Sequence, residues 1–249
     1  MMSLLVRFRQ GMQAAIPIWI AFVPSSIAWG IAAQRHGLSF NEAVFMSAWV
    51  YSGPAQFAVL GPLAENKSAL QVLIAGFLMN LRFLPMSTAL TPFFRGVKRM
   101  PLLISSHVIS ASSFIVPYVQ FQKERASADS ASVARPHENG YRNLLFFLGV
   151  GITSFIVWVT GTGTGFGIAL GFPHRFDEAL QFILPGYFAG LLVVDIKGLP
   201  MLLVCLGSLI AALPGAALSS GWGWLMTAIA VATLVWGVEQ WKLPASKSF

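Results

Sequence analysis

Eight long apolar segments follow one another along this chain of 249 residues. About 20 apolar residues carry an α-helix across a bilayer. The segments lie at about 12–34, 43–63, 69–94, 102–121, 143–171, 178–195, 198–217 and 221–241. Because only 10% of the residues are charged and the mean hydropathy is +0.70, little of the chain remains for a soluble domain. The pattern predicts an all-α polytopic membrane protein, a bundle of seven or eight transmembrane helices.

The chain is predicted to form a single integral membrane domain over residues 1–249. A polar stretch at about 122–142 reads as a flexible loop that joins two four-segment halves, about 12–121 and 143–241. A short echo supports the division. Phe40-Asn41-Glu42-Ala43 followed by Tyr51 recurs, at the same spacing, as Phe176-Asp177-Glu178-Ala179 followed by Tyr187. Repeats of this kind are common in transporters.

The distribution of Lys and Arg bears on orientation, because short loops rich in these residues stay cytoplasmic. Eight crossings with both termini in the cytoplasm put most basic residues inside, in the plasma or bacterial inner membrane. This arrangement leaves Arg95, Lys98 and Arg99 outside. A re-entrant second segment would bring that cluster inside, but it would move the basic residues from Lys123 to Arg142 outside. Eight crossings therefore remain the favoured interpretation.

Arg82 lies midway along the apolar run of the third segment. An Arg at the centre of a membrane helix costs about 2.5 to 3.5 kcal/mol on insertion scales, so such a charge indicates function. No Asp or Glu lies near the centre of another apolar segment. Arg82 therefore favours an anionic ligand, because the geometry of its guanidinium matches that of a carboxylate. The amide of Asn80 lies two residues before it in the chain. Structural pairing with a carboxylate is the alternative.

The second segment carries a predicted interruption at Ser52-Gly53-Pro54-Ala55-Gln56, where glycine and proline should open the helix. Broken helices expose backbone groups that can hold charged substrates. We therefore place Ser52, Gly53, Pro54 and Gln56 in the candidate substrate site with Arg82. A proline kink that only shapes packing is the alternative.

The fourth segment is unusually polar for a membrane span. Ser106, Ser110 and Ser113 are predicted to lie along one helical face, and His107 accompanies them. The serines either line a pathway or hold helices together, and His107 either relays protons or forms structural hydrogen bonds. Pro24 in the first segment joins these candidate pathway residues because it bends or loosens a span.

Several functional classes find no support in the sequence. The net charge is +7, but the basic residues are scattered at the ends of apolar runs, a distribution that does not indicate nucleic-acid binding. One cysteine, Cys205, gives neither a disulfide framework nor a metal site, and no cofactor is expected. Enzyme motifs are missing, so we predict no catalysis. The glycine run beginning at Gly161 resembles a nucleotide loop, but its spacing of four favours close helix packing.

Taken in order, these residues resemble the AzlC-type permeases, the large subunits of branched-chain amino-acid exporters. Tyr51-Ser52-Gly53-Pro54-Ala55-Gln56-Phe57 resembles the family's Y-A-G-A-S-Q-F segment, and Asn80-Leu81-Arg82-Phe83 resembles its D/N-x-R-H motif. Pro17, Pro24 and Gly30 match its proline-rich opening, and Trp158 with Gly161 and Gly165 matches a later pattern. The resemblance covers most of the chain.

The resemblance implies export of branched-chain or similar apolar amino acids, driven by an ion gradient, with a proton as a candidate coupling ion. It also implies a small multi-span AzlD-type partner. The chain departs from the family at Pro54, Ala55 and Phe83. Ser112 and Ser113 stand where relatives often carry Asp-Glu, and the loss of that acidic pair bears on substrate choice and on carboxylate-based proton coupling.

Two hypotheses of function follow. The first is a secondary transporter subunit that works by alternating access, with the substrate carboxylate near Arg82. The second is a non-transporting membrane assembly or sensor subunit, in which Arg82 pairs with a carboxylate of a partner.

Overall fold

A computed structural model describes residues 2–65, 67–128, 136–173 and 175, with short stretches between 202 and 237. These parts are helical and contain no strand, which confirms the all-α prediction for them. The chain divides into two compact units, residues 1–187 and 188–249. The second copy of the echo and most of the last three apolar segments lie outside the described residues.

Eight α-helices and three short 3₁₀ helices make up the described part of the first unit. The α-helices are α1 (Met2–Arg35), α2 (Phe40–Trp49), α3 (Gly53–Ala64), α4 (Ala69–Asn80), α5 (Phe83–Leu90), α6 (Arg99–Ser105), α7 (Ala111–Ala128) and α8 (Pro136–Ile168). The 3₁₀ helices are Thr91–Phe94, Ser106–Val108 and Ala169–Gly171. Helices therefore cover most of the stretch 122–142 that the sequence predicted as a loop.

Helices α1 and α8 pack side by side and run parallel. Gly11 lies against Gly149 near one end of the pair, and Gly30 lies against Gly165 near the other. A methyl group on Gly165 would overlap the backbone oxygen of Ile27, so only glycine permits this approach. The prediction that the glycine run serves helix packing is thus confirmed for Gly165.

A sharp bend divides α1 into Leu5–Ile20 and Phe22–Arg35, whose axes differ by 61°. Pro24 follows the bend, and a proline at this position cannot donate to the carbonyl of Ile20, four residues earlier. The predicted loosening of the first span by Pro24 matches this geometry.

The second apolar segment folds back on itself. Phe40 at the start of α2 contacts Phe166 (5.6 Å between ring centroids), and Tyr51 after α2 contacts Phe155 (5.1 Å). The segment therefore advances about a third of the length of α8, roughly 16 Å at 1.5 Å per residue. Helix α3 then returns alongside α4, with Val59 against Gly76. Residues 40–64 form a re-entrant hairpin, which we call the first hairpin.

The fourth apolar segment also folds back, from the opposite end of α8. The amide of Lys98 donates to the Tyr141 hydroxyl at 3.3 Å, near the start of α8. The chain then reaches Phe155 through His107, with ring centroids 5.9 Å apart. Helix α7 returns until Glu124 meets Arg7. Residues 99–128 form the second hairpin.

Three helical stretches of the described part are long and apolar enough to cross a membrane. They are Ala69–Phe94, Gly140–Gly171 and the two halves of α1 taken together. The predicted count of seven or eight spans is not confirmed. The second and fourth apolar segments are long enough for a crossing, but a break in the middle of each segment turns the chain back.

The fold brings one set of basic residues to one end of the first unit, which we call the basic end. Its members come from α1, the 69–94 stretch, the second hairpin and the start of α8: Arg7, Arg9, Arg95, Lys98, Arg99, Lys123, Arg125 and Arg142. Direct contacts tie these elements together there, because Arg7 pairs with Glu124 and Gly140 lies against the backbone of Arg95. Eight crossings would instead have placed Arg95 and Arg7 on opposite sides of the membrane.

Helix α2 starts at the other end with a capping box. The backbone amide and hydroxyl of Ser39 donate to the Glu42 carboxylate, both at 2.7 Å. These hydrogen bonds hold the pKa of Glu42 below its usual value, and the bond from the backbone amide has the larger effect.

Candidate functional site

The tips of the two hairpins meet beside the middle of α8. The His107 ring, from the second hairpin, donates through Nε2 to the backbone oxygen of Ala48 at 2.8 Å, since a carbonyl only accepts. Tyr51 of the first hairpin has a φ of 43°, in the left-handed region that is unusual for a tyrosine. Such strained residues cluster at functional sites. The break predicted in the second segment is therefore present, at Val50–Ser52.

Arg82 lies at this junction, in the turn between α4 and α5. Its Nη2 atom donates to Ser52 Oγ at 3.3 Å, and its guanidinium carbon lies 5.2 Å from the centroid of the Phe83 ring. Ser52 is the N-cap residue of α3, which begins with Gly53 and Pro54. Helix N-termini carry partial positive charge and unpaired N–H groups. The guanidinium and the start of α3 thus form one positive pole that suits an anion.

Asn80 ends α4, two residues before Arg82. Its Oδ1 atom is buried and accepts no hydrogen bond from the residues that the structure describes. A buried acceptor without a donor costs about 1–3 kcal/mol. The junction therefore offers a positive pole and, close to it in the chain, an acceptor that lacks a donor.

Gln56 takes part in a closed ring of hydrogen bonds. The Trp158 indole donates to Gln56 Oε1 (2.9 Å), and Gln56 Nε2 donates to Ser47 Oγ (2.9 Å). Thr162 donates to the backbone oxygen of Trp158, so the Ser47 hydroxyl must donate to Thr162 Oγ1 (2.8 Å). The ring links α2, α3 and α8. Because Gln56 is fully buried, its amide fixes the arms of the first hairpin to α8.

The serines of the fourth segment do not share one helical face, contrary to the prediction. Ser106 lies in a 3₁₀ helix, Ser110 lies in the break, and Ser113 lies in α7. The hydroxyl of Ser113 donates to the backbone oxygen of Val108 at 2.7 Å, and the amide of Ser110 donates to Ser113 Oγ at 2.7 Å. Serine hydroxyls compete with helical backbone bonds in this way. Ser110 and Ser113 stabilise the tip of the second hairpin.

The structure thus brings Ser52, Gly53, Pro54 and Arg82 together, with His107 and Ser110 on the opposing tip. Pro24 is exposed on α1 and has no contact with Arg82 among those described. Sequence reasoning missed Ser47 and Thr162 as site residues, because small polar residues in apolar segments carry no distinctive spacing. Within the described part, no group of three or more His, Cys, Asp or Glu side chains could hold a metal ion.

Comparison with known proteins identifies the family of the chain. The family model described as AzlC protein matches residues 17–171. The chain belongs to the AzlC family. The AzlC match covers α1 through the 3₁₀ helix after α8, and therefore both hairpins and Arg82. The predicted family resemblance is confirmed.

Relatives of this AzlC family chain are membrane proteins. The inner membrane protein YgaZ of Escherichia coli is 27% identical over 217 residues, which cover 86% of this chain and 82% of YgaZ. An uncharacterized membrane protein of Archaeoglobus fulgidus is 26% identical over 77% of each chain. The branched-chain amino acid transport protein AzlC of Bacillus subtilis is 24% identical over 73% of this chain and 65% of that protein. No solved structure matches the chain.

The chain is therefore a membrane protein of a transport protein family, and its role is related to transport. The AzlC family assignment agrees with the predicted membrane localisation.

Proposed function

We propose that this chain is the large subunit of a secondary transporter that exports branched-chain or similar apolar amino acids. The observation that carries the proposal is the contact between Arg82 and the N-cap of α3 at the junction of two re-entrant hairpins. Transporters commonly bind substrate near the membrane midplane, at the ends of interrupted helices. The name of the Bacillus subtilis relative supports the substrate class.

The substrate carboxylate binds to Arg82 and to the first N–H groups of α3. The guanidinium forms charge-assisted hydrogen bonds with a carboxylate, and these are stronger than neutral ones. The substrate ammonium donates to Asn80 Oδ1 and supplies the hydrogen bond that this buried atom lacks. An amino-acid zwitterion therefore matches both features, whereas an inorganic anion would match only the positive pole.

Alternating access requires the two hairpin tips to separate or to exchange partners. Contacts across the tips, such as that of His107 with Ala48, are the bonds that such a motion would break. The basic end faces the cytoplasm, because loops rich in Lys and Arg stay inside. An ion gradient, with a proton as the candidate ion, drives export, and a small AzlD-type membrane protein completes the transporter. Both termini lie in the cytoplasm if each of the last three apolar segments crosses.

Efflux of radiolabelled leucine from cells that express the chain with its partner tests the proposal. Arg82→Gln should lower the efflux rate at subsaturating leucine by about tenfold or more, because a hydrogen bond to a charged group is lost. Arg82→Lys should keep part of the rate, since the charge remains without the bidentate geometry. Arg9→Gln, at an exposed position of α1, is the matched control.

Normal efflux by Arg82→Gln would remove Arg82 from substrate binding. Absence of leucine, isoleucine and valine flux by the wild-type chain with its partner would instead favour the assembly or sensor subunit. In that case a partner carboxylate exchanged with Arg82 in a charge-swap pair should restore assembly.

A further inference from the structure

A cavity of about 130 Å³ lies between α5, α6 and α8, on the side of Arg82 that faces the basic end. Six apolar side chains form most of its wall: Leu90, Phe94, Leu102, Ile109, Leu144 and Phe147. Leu90, Leu144 and Phe147 are buried. None of the residues that line it is charged, so a charged side chain placed there would lose its hydration without a partner.

Three of the four hydroxyl groups in the wall already donate to backbone oxygens of the described residues. Thr91 donates to the backbone oxygen of Ser87 (2.9 Å), Ser105 donates to that of Pro101 (2.6 Å), and Ser106 donates to that of Leu103 (2.7 Å). Their protons are already used by the backbone three or four residues earlier in the chain. An aliphatic group can therefore fill the cavity without leaving these donors unsatisfied.

The size of the cavity limits the ligand. A dry, apolar cavity of about 150 Å³ in another protein accommodates benzene. The slightly smaller cavity here suits a branched butyl or propyl group better than the bulkier benzyl group.

Two elements connect the cavity to the candidate site. Helix α5 follows Arg82 directly, and Ser87 at the near edge of the cavity lies five residues further on, a rise of about 7.5 Å. A leucine spans about 5 Å from its carboxyl carbon to its methyl groups, a length comparable with that rise of the backbone. Ser106 and Ile109 line the cavity, and His107 between them contacts the tip of the first hairpin.

We propose that this cavity binds the aliphatic side chain of the transported amino acid and thereby selects branched-chain substrates. This assignment rests on the proposed function, because it requires the substrate carboxylate to be held at Arg82. It adds a specificity pocket on the cytoplasmic side of the carboxylate site.

The test measures the ratios of efflux of leucine, alanine and phenylalanine from proteoliposomes that contain the chain and its partner. Ser87→Leu fills the cavity and should lower the leucine-to-alanine ratio by about tenfold, since small changes in an apolar pocket alter selectivity by about 10- to 200-fold. Leu90→Ala enlarges the cavity and should raise the phenylalanine-to-leucine ratio. Thr88→Leu and Leu84→Ala change the same helix at positions outside the cavity wall and should leave both ratios unchanged.

Ser87→Leu decides the test even if Leu90→Ala fails to reach the membrane, because Ser87 is exposed at the edge of the cavity. Wild-type transport of leucine with an unchanged leucine-to-alanine ratio in Ser87→Leu would overturn the pocket and leave the proposed function intact. Absence of transport of all three amino acids by the wild-type protein would overturn both.

Discussion

At the scale of single residues, the buried amide of Gln56 holds the junction together. It receives the Trp158 N–H and donates to Ser47, and both partners lie on other helices. This placement explains why a glutamine occurs in an apolar segment. Its substrate contact stays a prediction, whereas its hydrogen bonds to neighbouring helices are part of the structure.

Gln56→Met should destabilise the protein by about 1–3 kcal/mol, because the buried Trp158 N–H loses its acceptor. Methionine has a similar shape, so a cavity contributes little to the loss. Gln13→Met, at an exposed position of α1, is the matched control. Thermal unfolding of both variants in nanodiscs measures the difference, and equal midpoints would mean that the hydrogen-bond ring adds nothing to stability.

At the scale of helices, the parallel pair α1 and α8 forms the frame against which both hairpins pack. Its close approach depends on glycines whose missing side chains let the two backbones touch. Bulkier residues would move α8, and with it Phe155 and Trp158, away from the hairpin tips.

Gly165→Ala should therefore lower stability by about 1–3 kcal/mol, since the added methyl group would overlap the backbone of Ile27. Gly167→Ala on the same helix meets open space and should stabilise the protein by up to about 1 kcal/mol through helix propensity. Thermal unfolding of the two variants tests this difference in sign. A loss of stability in both would show that the effect does not come from the α1 and α8 contact.

At the scale of the whole molecule, the two hairpins change the topology of the first unit. With three candidate crossing stretches and two hairpins, the described part of the first unit places Lys98 at the basic end and Lys67 at the opposite end. Eight full crossings with a cytoplasmic N-terminus would place Lys67 inside and Lys98 outside. The two arrangements thus give opposite locations for the same two residues.

Single cysteines at these positions, in a Cys205→Ser background, distinguish the topologies. With a membrane-impermeant maleimide added to intact cells, Lys67→Cys should be labelled, and Lys98→Cys should be labelled only after permeabilisation. An Arg9→Cys variant serves as the control for the cytoplasmic side. Labelling of Lys98→Cys in intact cells would contradict the hairpin arrangement.

The sequence by itself determined the membrane setting, the helical class, the family and the main candidate site residues. The family came from the resemblance of residues 51–57 and 80–83 to known motifs, and the rest follows from local properties: apolar length, a charge within an apolar run, and glycine beside proline at residues 53 and 54. The same local reasoning identified Arg82 before its surroundings were known. It also predicted the packing role of Gly165, because small residues at a spacing of four are a property of one helix.

Only the tertiary structure decided where the chain turns back. Hydropathy sums over a segment and cannot distinguish a crossing from two half-length helices, so residues 43–63 and 102–121 both read as full spans. The direction of each half-helix depends on long-range contacts, such as Phe40 with Phe166 and Glu124 with Arg7. Packing between distant segments also brings the Arg95 cluster to the N-terminal end of α1 and brings Arg82 to the cap of α3.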